Sequence, residues 1–195
     1  MPSEQTSIII RETRDGDLPA ITAIYNDAVV NTTATYEIDP PSQSTMSDRL
    51  AAIKDAGLPC LVAEGSSDSP NILGYAYVNA FRPRPAYRFT VEHSVYVASD
   101  ARARGVGSLL MRNLIQECER LGFRQIVAVI GDGRPDSPSV LFHRKLGFRH
   151  SGKLEGSGYK FGRWLDTSFM QLPINGGIAT HPDSSPQPGL RLQGQ

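Results

Sequence analysis

The chain of 195 residues is poor in cysteine, in net charge and in long apolar runs. Cys60 and Cys118 are its two cysteines, and neither has Cys-x-x-Cys spacing or a nearby histidine, so we expect reduced core thiols rather than a disulfide or a metal site. Twenty basic and twenty acidic side chains cancel, which argues against a nucleic-acid partner. No apolar stretch approaches the roughly 20 residues that span a bilayer. Because residues 1–7 are polar and do not resemble a signal peptide, we expect a cytoplasmic protein with a small-molecule partner and no membrane association.

Strand-like and helix-like segments alternate along most of the chain. With 39% hydrophobic residues, the sequence has enough apolar material for one α/β domain. Apolar and β-branched runs predict strands, and an apolar period of 3.6 residues between cap residues predicts helices. Strands are expected at 8–10, 60–63, 72–78, 88–97, 125–130, from 148 and at 167–172, and helices at 18–28, 44–56, 108–121 and 139–145.

The composition changes after residue 173. Glycine, proline, serine and glutamine dominate there and apolar residues are few, as in chains that cannot bury a core. We therefore expect residues 1–173 to form a single domain and residues 174–195 to form a disordered tail. An aromatic segment at 159–164 precedes the last predicted strand, and a turn at 66–70 joins two strands of a hairpin.

The hexapeptide Arg-Ala-Arg-Gly-Val-Gly at 102–107 separates a strand-like run from a predicted helix. Its glycines let consecutive N–H groups turn inward, and the helix start adds its positive dipole end, so the segment suits a pyrophosphate. It is not a P-loop, because Ser108 and Leu109 follow Gly107 in place of a Lys-Ser/Thr pair, and it does not match Gly-x-Gly-x-x-Gly. Taken alone, the hexapeptide also fits an ordinary turn beside surface arginines.

Three segments together resemble the GNAT superfamily of acyl-CoA-dependent N-acyltransferases. They are Thr-Val-Glu-His-Ser-Val-Tyr-Val at 90–97, Arg-x-x-Gly-x-Gly at 102–107 and His-Arg-Lys-Leu-Gly-Phe at 143–148. The resemblance covers residues 8–172 and is greatest to the phosphinothricin and methionine sulfoximine acetyltransferase group, through further matches at 25–26, 31–34, 127–130 and 160–166. It implies the α/β (α+β) GNAT fold, in which a mixed, twisted central sheet is flanked by helices and splayed at the acetyl-CoA site.

The resemblance also implies how acetyl-CoA, the co-substrate, would be held. The backbone of the cofactor strand would pair with the pantetheine arm through Val95, Tyr96 and Val97. The turn and helix start would hold the pyrophosphate through Ala103, Arg104, Gly105, Val106, Gly107 and Ser108, and Arg102 would shape this loop. The family usually has an Asn in the loop before the His-bearing helix, where this chain has a longer loop at 131–139 with Asp136 and Ser137. Since a carboxylate only accepts hydrogen bonds, Ser137 is the alternative pantetheine contact to Asp136.

Acetyl transfer to an amine requires a base, because an amino group near pH 7 is mostly protonated. By resemblance Glu92 is the first candidate, the alternative being a solvated strand carboxylate, and His143 is the second, the alternative being a side chain packed beside CoA. Strand alternation places His93 on the face opposite Glu92, so we expect His93 at the periphery of the site. Direct attack by the amine needs no acyl-enzyme and no cysteine nucleophile. Tyr159 is a possible proton donor to the departing thiolate.

The substrate side is predicted from the turn before the cofactor strand. The guanidinium groups of Arg82 and Arg84, stiffened by Pro83, suit a carboxylate or phosphinate, and the alternative is a pair of surface arginines. By resemblance Glu92, His93 and Ser94 border the same pocket, closed by the loop at 31–35 and by residues 160–161, partly across a homodimer interface. We therefore expect acetylation of the α-amino group of a small amino-acid-like molecule. A peptide or protein amine acetyltransferase and a non-catalytic acyl-CoA-binding module are the alternatives.

Overall fold

A computed structural model describes residues 7–65 and 71–182. Strands and helices alternate as the apolar patterns predict. The order is β1 (Ile8–Glu12), α1 (Leu18–Asn31), α2 (Gln43–Asp55), β2 (Cys60–Gly65), β3 (Asn71–Ala80), β4 (Thr90–Val97), α3 (Val106–Arg120), β5 (Gln125–Gly131), α4 (Pro138–Lys145), β6 (Arg149–Lys160) and β7 (Arg163–Pro173). Among the residues so described, no helix is long and apolar enough to cross a membrane.

The seven strands form one sheet in the order β1-β2-β3-β4-β5-β7-β6. Neighbours are antiparallel except for β4 and β5, which are parallel. A mixed sheet flanked by helices confirms the predicted fold class.

The sheet opens between β4 and β5. Their pairing runs from Thr90 opposite Gln125 only as far as His93 opposite Ala128. Beyond that point β4 stays paired with β3 up to Val97, and β5 stays paired with β7 up to Gly131. The two strands therefore part over the second half of β4, and this is the predicted splay.

Two apolar clusters cover the sheet. The larger one packs α3 and α4 on one face, and α3 contributes its buried side chains Val106, Leu110, Met111, Leu114 and Cys118 at helical spacing. The smaller one packs α1 and α2 on the opposite face around Tyr25, Tyr75 and Tyr96. Cys60 and Cys118 are buried free thiols, as predicted.

The aromatic segment at 159–164 is a β-hairpin tip rather than a connection before the last strand. Its turn residues Phe161 and Gly162 both have positive φ, 52° and 72°, as a two-residue type I′ turn requires. The predicted last strand is therefore shorter than β7. Trp164 and Tyr159 pair across the two strands but are largely exposed, so this part of the sequence shows no alternation of buried and exposed side chains.

Residues directly after Pro173, where the tail was expected to begin, contact the domain. Ile174 is buried and its N–H donates to the carbonyl of Arg124, while the Asn175 amide donates to Glu119 and Phe123 carbonyls at the end of α3. The Arg124 guanidinium donates to the Gly177 carbonyl. The partners in these contacts lie about 50 residues apart in the sequence, so amino-acid composition cannot predict them. The remaining tail residues 183–195 and the predicted turn at 66–70 lie outside the described residues.

Candidate active site

Two adjoining cavities, each of about 420 Å³, occupy the opening between β4 and β5. The inner cavity lies between His93–Tyr96 of β4 and Ala128–Asp132, where β5 ends. The outer cavity lies between Val95–Val97 and the start of α3. Both are bordered by Tyr96, Ser139 and His143. Their size is that of ordinary small-molecule sites.

The outer cavity brings together most of the residues predicted to hold acetyl-CoA. Its lining includes Val95, Tyr96, Val97, Arg102, Ala103, Gly105, Val106, Gly107 and Ser108. Arg104 is exposed in the same loop but does not line either cavity.

The start of α3 presents unpaired N–H groups to this cavity. Gly105, at the N-cap, has φ +82°, a conformation that favours glycine, and its carbonyl accepts the first helical bond from Leu109. The N–H groups of Val106, Gly107 and Ser108 therefore have no acceptor within the helix. Together with the positive end of the helix dipole they suit an anion such as a pyrophosphate.

Arg102 ties the loop to its surroundings. Its guanidinium donates to the Val97 carbonyl at 3.4 Å and pairs with the Asp27 carboxylate at 3.2 Å. These contacts link the loop to β4 and α1, consistent with the loop-shaping role expected for this side chain.

Two histidines lie together in the inner cavity. Nε2 of His93 lies 3.0 Å from Nε2 of His143, and Nδ1 of His143 lies 2.7 Å from the Ser139 carbonyl oxygen. Burial lowers the pKa of both imidazoles, and the Ser139 carbonyl partly offsets this for His143. His93 is therefore part of the cavity wall and not at the periphery, where the sequence placed it.

Glu92 lies on the other face of β4, as strand alternation predicts. It is opposite Asn79 of β3 and lines neither cavity. Burial raises the pKa of its carboxyl group, and the positive charge of Arg82 partly offsets this. A half-buried carboxylate with a raised pKa, one residue from the cavity wall, has the properties of a general base.

The predicted substrate turn is exposed. The Arg82 guanidinium stacks on the Phe81 ring at 4.3 Å and donates to the Phe81 carbonyl, while Pro83 and Arg84 face solvent. This turn lines neither cavity, and its link to the site is the influence of Arg82 on Glu92.

Three other residues with predicted roles at the site lie in different surroundings. Ser137 is buried, lines the inner cavity and accepts the N–H of Val140 at the start of α4. Asp136, one residue earlier, is exposed and lines neither cavity, because the turn points it to solvent. Tyr159 is 57% exposed and packs on Trp164 at the hairpin tip, so it is not placed to protonate a thiolate in either cavity.

A loop that follows α1 covers both cavities through Thr32 and Ala34. The buried ammonium of Lys160 donates to the Thr32 and Thr35 carbonyls at 2.9 and 2.8 Å, and burial lowers its pKa. Both segments are among those predicted to close the pocket, and the contact between them explains how the loop is held.

Sequence reasoning missed two features of the inner cavity. One is the contact between His93 and His143, for which the sequence holds no local signal because the two residues lie fifty positions apart on different elements. The other is Asp132, which has φ +56° and bonds to Arg134 and Arg163. Among the described residues no cluster of three or more potential metal ligands occurs.

Comparison with known proteins gives a family match over most of the chain. Residues 10–169 match the acetyltransferase (GNAT) domain family. The phosphinothricin N-acetyltransferase of Alcaligenes faecalis is 48% identical over 174 residues, 89% of this chain and 86% of that one. The L-methionine sulfoximine/L-methionine sulfone acetyltransferase of Pseudomonas paraeruginosa is 43% identical over 169 residues, 87% of this chain and 96% of that one.

A solved structure is similar over the same extent. The crystal structure of a GNAT superfamily phosphinothricin acetyltransferase from Sinorhizobium meliloti in complex with AcCoA superposes with a TM-score of 0.87 at 44% identity. The match covers 93% of this chain and 96% of that chain.

Proposed function

Because this chain belongs to the GNAT family of acetyl-CoA-dependent N-acetyltransferases, we propose that it acetylates the α-amino group of a small amino-acid-like molecule. Phosphinothricin, methionine sulfoximine and related L-amino acids are the substrate class that the names of its relatives suggest. The observation that carries the proposal is the opening between β4 and β5 beside the free N–H groups of α3, with Glu92 on the adjoining face.

Acetyl-CoA would bind along this opening. The backbone of Val95, Tyr96 and Val97, beyond the last pair between β4 and β5, would meet the pantetheine arm. The segment from Ala103 to Ser108 would hold the pyrophosphate through N–H groups, with Arg104 available from solvent and Arg102 bracing the loop. Ser137, which lines the inner cavity, is better placed than the exposed Asp136 to contact the pantetheine.

Glu92 would take the proton from the ammonium form of the substrate, directly or through water. The neutral amine would then attack the thioester carbonyl carbon, a C–N bond would form, and the C–S bond would break to release CoA thiolate. The nitrogen would lose its extra proton to water to give the amide, and the thiolate would take a proton from water. The raised pKa of Glu92 supports this role, because a stronger base accepts the proton more readily at neutral pH. His143 is the second candidate, although both of its ring nitrogens already have partners.

The acceptor would approach from the face that carries Glu92. Arg82 lies close enough to influence Glu92 and, with Arg84 and Pro83, would present guanidinium groups to a carboxylate or phosphinate. Ser94 is on the same face as Glu92 by strand alternation. His93 points to the opposite face and would act there on the acetyl-CoA side.

The protein would act as a homodimer. Tyr159, Phe161 and Trp164 at the tip of the β6–β7 hairpin are 57%, 54% and 69% exposed, a concentration of apolar surface that a second copy could cover. Phe161 has φ +52° in a turn position that usually takes Asn or Gly, which supports a role for this side chain other than turn formation. The buried free thiols support a reducing compartment, and we propose the cytoplasm.

Thiol release from acetyl-CoA at pH 8 tests the proposal. The amine panel contains methionine sulfoximine, phosphinothricin, the standard amino acids and a peptide with a free amino terminus. We expect turnover with the small carboxylated amines and little with the peptide. Turnover with the peptide alone would favour a protein amine acetyltransferase, and acetyl-CoA binding without turnover of any amine would favour a non-catalytic acyl-CoA module.

A further inference from the structure

Two buried imidazoles meet in the inner cavity, fifty residues apart in the chain. The residues of this pair, His93 and His143, are only 6% and 4% exposed. Both contact the ring of Phe148, and His143 also contacts Phe142. An aromatic cage of this kind holds the two rings in one arrangement, so the hydrogen bonds between them decide which ring nitrogens carry hydrogen.

The carbonyl of Ser139 determines the tautomer of His143. A carbonyl oxygen only accepts hydrogen bonds, so Nδ1 of His143, at 2.7 Å, carries a hydrogen. A neutral imidazole has one N–H, and Nε2 of His143 is therefore a lone-pair acceptor. Nε2 of His93, at 3.0 Å, must be the donor. Burial favours this neutral state of both rings because it lowers the pKa of each imidazole.

Both nitrogens of His143 are occupied in this arrangement, and neither is left for a ligand in the inner cavity. The remaining nitrogen of the pair, Nδ1 of His93, is buried and has no partner among the described residues. The pair therefore offers no free N–H and no accessible lone pair to a reacting group.

We propose that His93 is a positioning residue that donates its Nε2–H to His143 and so holds His143 as a neutral wall of the acetyl-CoA cavity, outside the acid–base chemistry. This inference rests on the proposed function, because it leaves the amine proton to Glu92 alone. It also gives His93 a role on the acyl-donor side, on the face of the strand opposite the acceptor.

The charged groups around the pair are compatible with two neutral imidazoles. Arg102 and Asp132 are the charged side chains that line the inner cavity. Asp132 is engaged by Arg134 at 2.9 Å and Arg163 at 3.5 Å, and Arg102 is engaged by Asp27. Since these charges are already matched, the pair needs no proton to balance a free carboxylate.

Nitrogen-15 NMR of the histidine rings in the full-length protein tests the tautomers without any substrate. The chain has four histidines, and the exposed His150 serves as a reference. We expect His143 to be protonated at Nδ1 and His93 at Nε2, with both rings unchanged between pH 8 and pH 6. The inference is overturned if His143 carries its hydrogen on Nε2 or if either ring gains a proton in this range. Because the spectrum needs no turnover, it remains decisive even if no amine is acetylated.

A pair of variants tests the role in turnover. His93→Gln keeps an N–H donor near the position of Nε2, within reach of His143, whereas His93→Leu removes it. We expect His93→Leu to lower kcat by about ten- to a hundredfold, with a smaller change in the KM for the amine, since misplacement of a site wall has costs of that order.

The pH profile separates positioning from simple support of the fold. In His93→Leu, Nε2 of His143 loses its partner, so we expect a new ionisation in the profile of kcat and a ring that titrates by NMR. His93→Gln should keep the profile of the parent protein and most of its kcat. Equal losses in the two variants, or an unchanged profile in His93→Leu, would show that His93 only fills space.

Discussion

The two halves of the sheet differ in how much of their surface the chain itself covers. The strands β1 to β4 have α3 on one face and α1 and α2 on the other, and their central side chains, such as Val62 and Val78, have no exposed surface. The strands β5 and β7 add Ile126, Ile130 and Met170 to the cluster under α3 and α4, but β6 and β7 leave Leu154 and Trp164 more than half exposed.

This difference bears on where the site lies. The first half is a closed scaffold that holds β4 in place, whereas the second half departs from it at His93 and ends in an apolar hairpin. The cavities form where the two halves part, and Lys160 of the hairpin strand reaches back to hold the loop above them. A half that is covered on both faces and a half with exposed apolar side chains thus meet at the site.

The largest expected effect comes from β4, the strand of the first half that borders the second. Glu92→Gln should lower kcat at pH 7 by about 10²- to 10⁴-fold, because the amide cannot take the amine proton. The raised pKa of Glu92 means that its basic form is lost at a higher pH than for an ordinary glutamate. Activity of the parent enzyme should therefore fall as the pH decreases through that pKa. This decrease should be absent from the pH profile of Glu92→Gln.

Steady-state rates between pH 5.5 and 9 measure this effect. Glu119→Gln, at an exposed position of α3, is the matched control and should retain the parent rate. A loss of less than about threefold at pH 7 in Glu92→Gln would remove Glu92 as the base, since such groups contribute far more than that.

Truncation of one leucine in each half compares their packing directly. Leu61→Ala in β2, where the side chain is 5% exposed, should cost about 2–5 kcal/mol of unfolding free energy. Leu154→Ala in β6, where the side chain is 53% exposed, should change it by no more than about 0.5 kcal/mol. Urea unfolding of the two variants gives both values. Similar losses at the two positions would mean that the second half is as fully covered as the first.

A substitution at the hairpin tip tests whether a second copy of the chain covers the exposed side chains of the second half. Trp164→Ala should weaken self-association by about 2 kcal/mol, roughly thirtyfold, because a large exposed aromatic is the type of residue that dominates an interface. Sedimentation equilibrium measures the change. Tyr87→Ala removes an aromatic that is 41% exposed in the connection between β3 and β4, and it should leave the association unchanged. A monomeric parent protein would disprove the dimer.

The smallest expected effect concerns a helix that covers the closed half. Ser42 caps α2 by accepting the N–H of Thr45 at 3.1 Å, so Ser42→Ala should cost about 1 kcal/mol of unfolding free energy. Ser44→Ala, at an exposed position inside the same helix, controls for the loss of a hydroxyl. If chemical denaturation gives the two variants equal stability, the cap does not contribute to holding α2 on the sheet.

Local signals account for the features that the sequence predicts correctly. Gly122 and Gly147, which follow α3 and α4, have φ of +82° and +93°, and glycine after an apolar helical run predicts such an end. The alternation along β4 correctly separated Glu92 from His93, because successive strand side chains always point to opposite faces. The glycine-bearing turn at 102–107 indicated that the first N–H groups of α3 lack partners within the helix, and this too depends on local backbone geometry.

The hairpin and the C-terminal segment show where local signals were insufficient. Tyr159 and Trp164 pair across two strands at an edge with little burial, so their pattern resembles a loop. Ile174 and Asn175 are held by the end of α3, whose position relative to them depends on the whole sheet. In both cases the deciding contacts join residues that the sequence does not place side by side.

Most strands and helices, the turn that frees the start of α3 and the two faces of β4 follow from the sequence, because each depends on backbone preferences and apolar periods within a few residues. Three features emerge only in the folded chain: β4 and β5 part at His93, His93 contacts His143, and Lys160 holds the loop after α1. Hydrogen bonds between groups 50 or more residues apart exist only once the sheet and its helices have packed, because packing alone brings their atoms within about 3 Å.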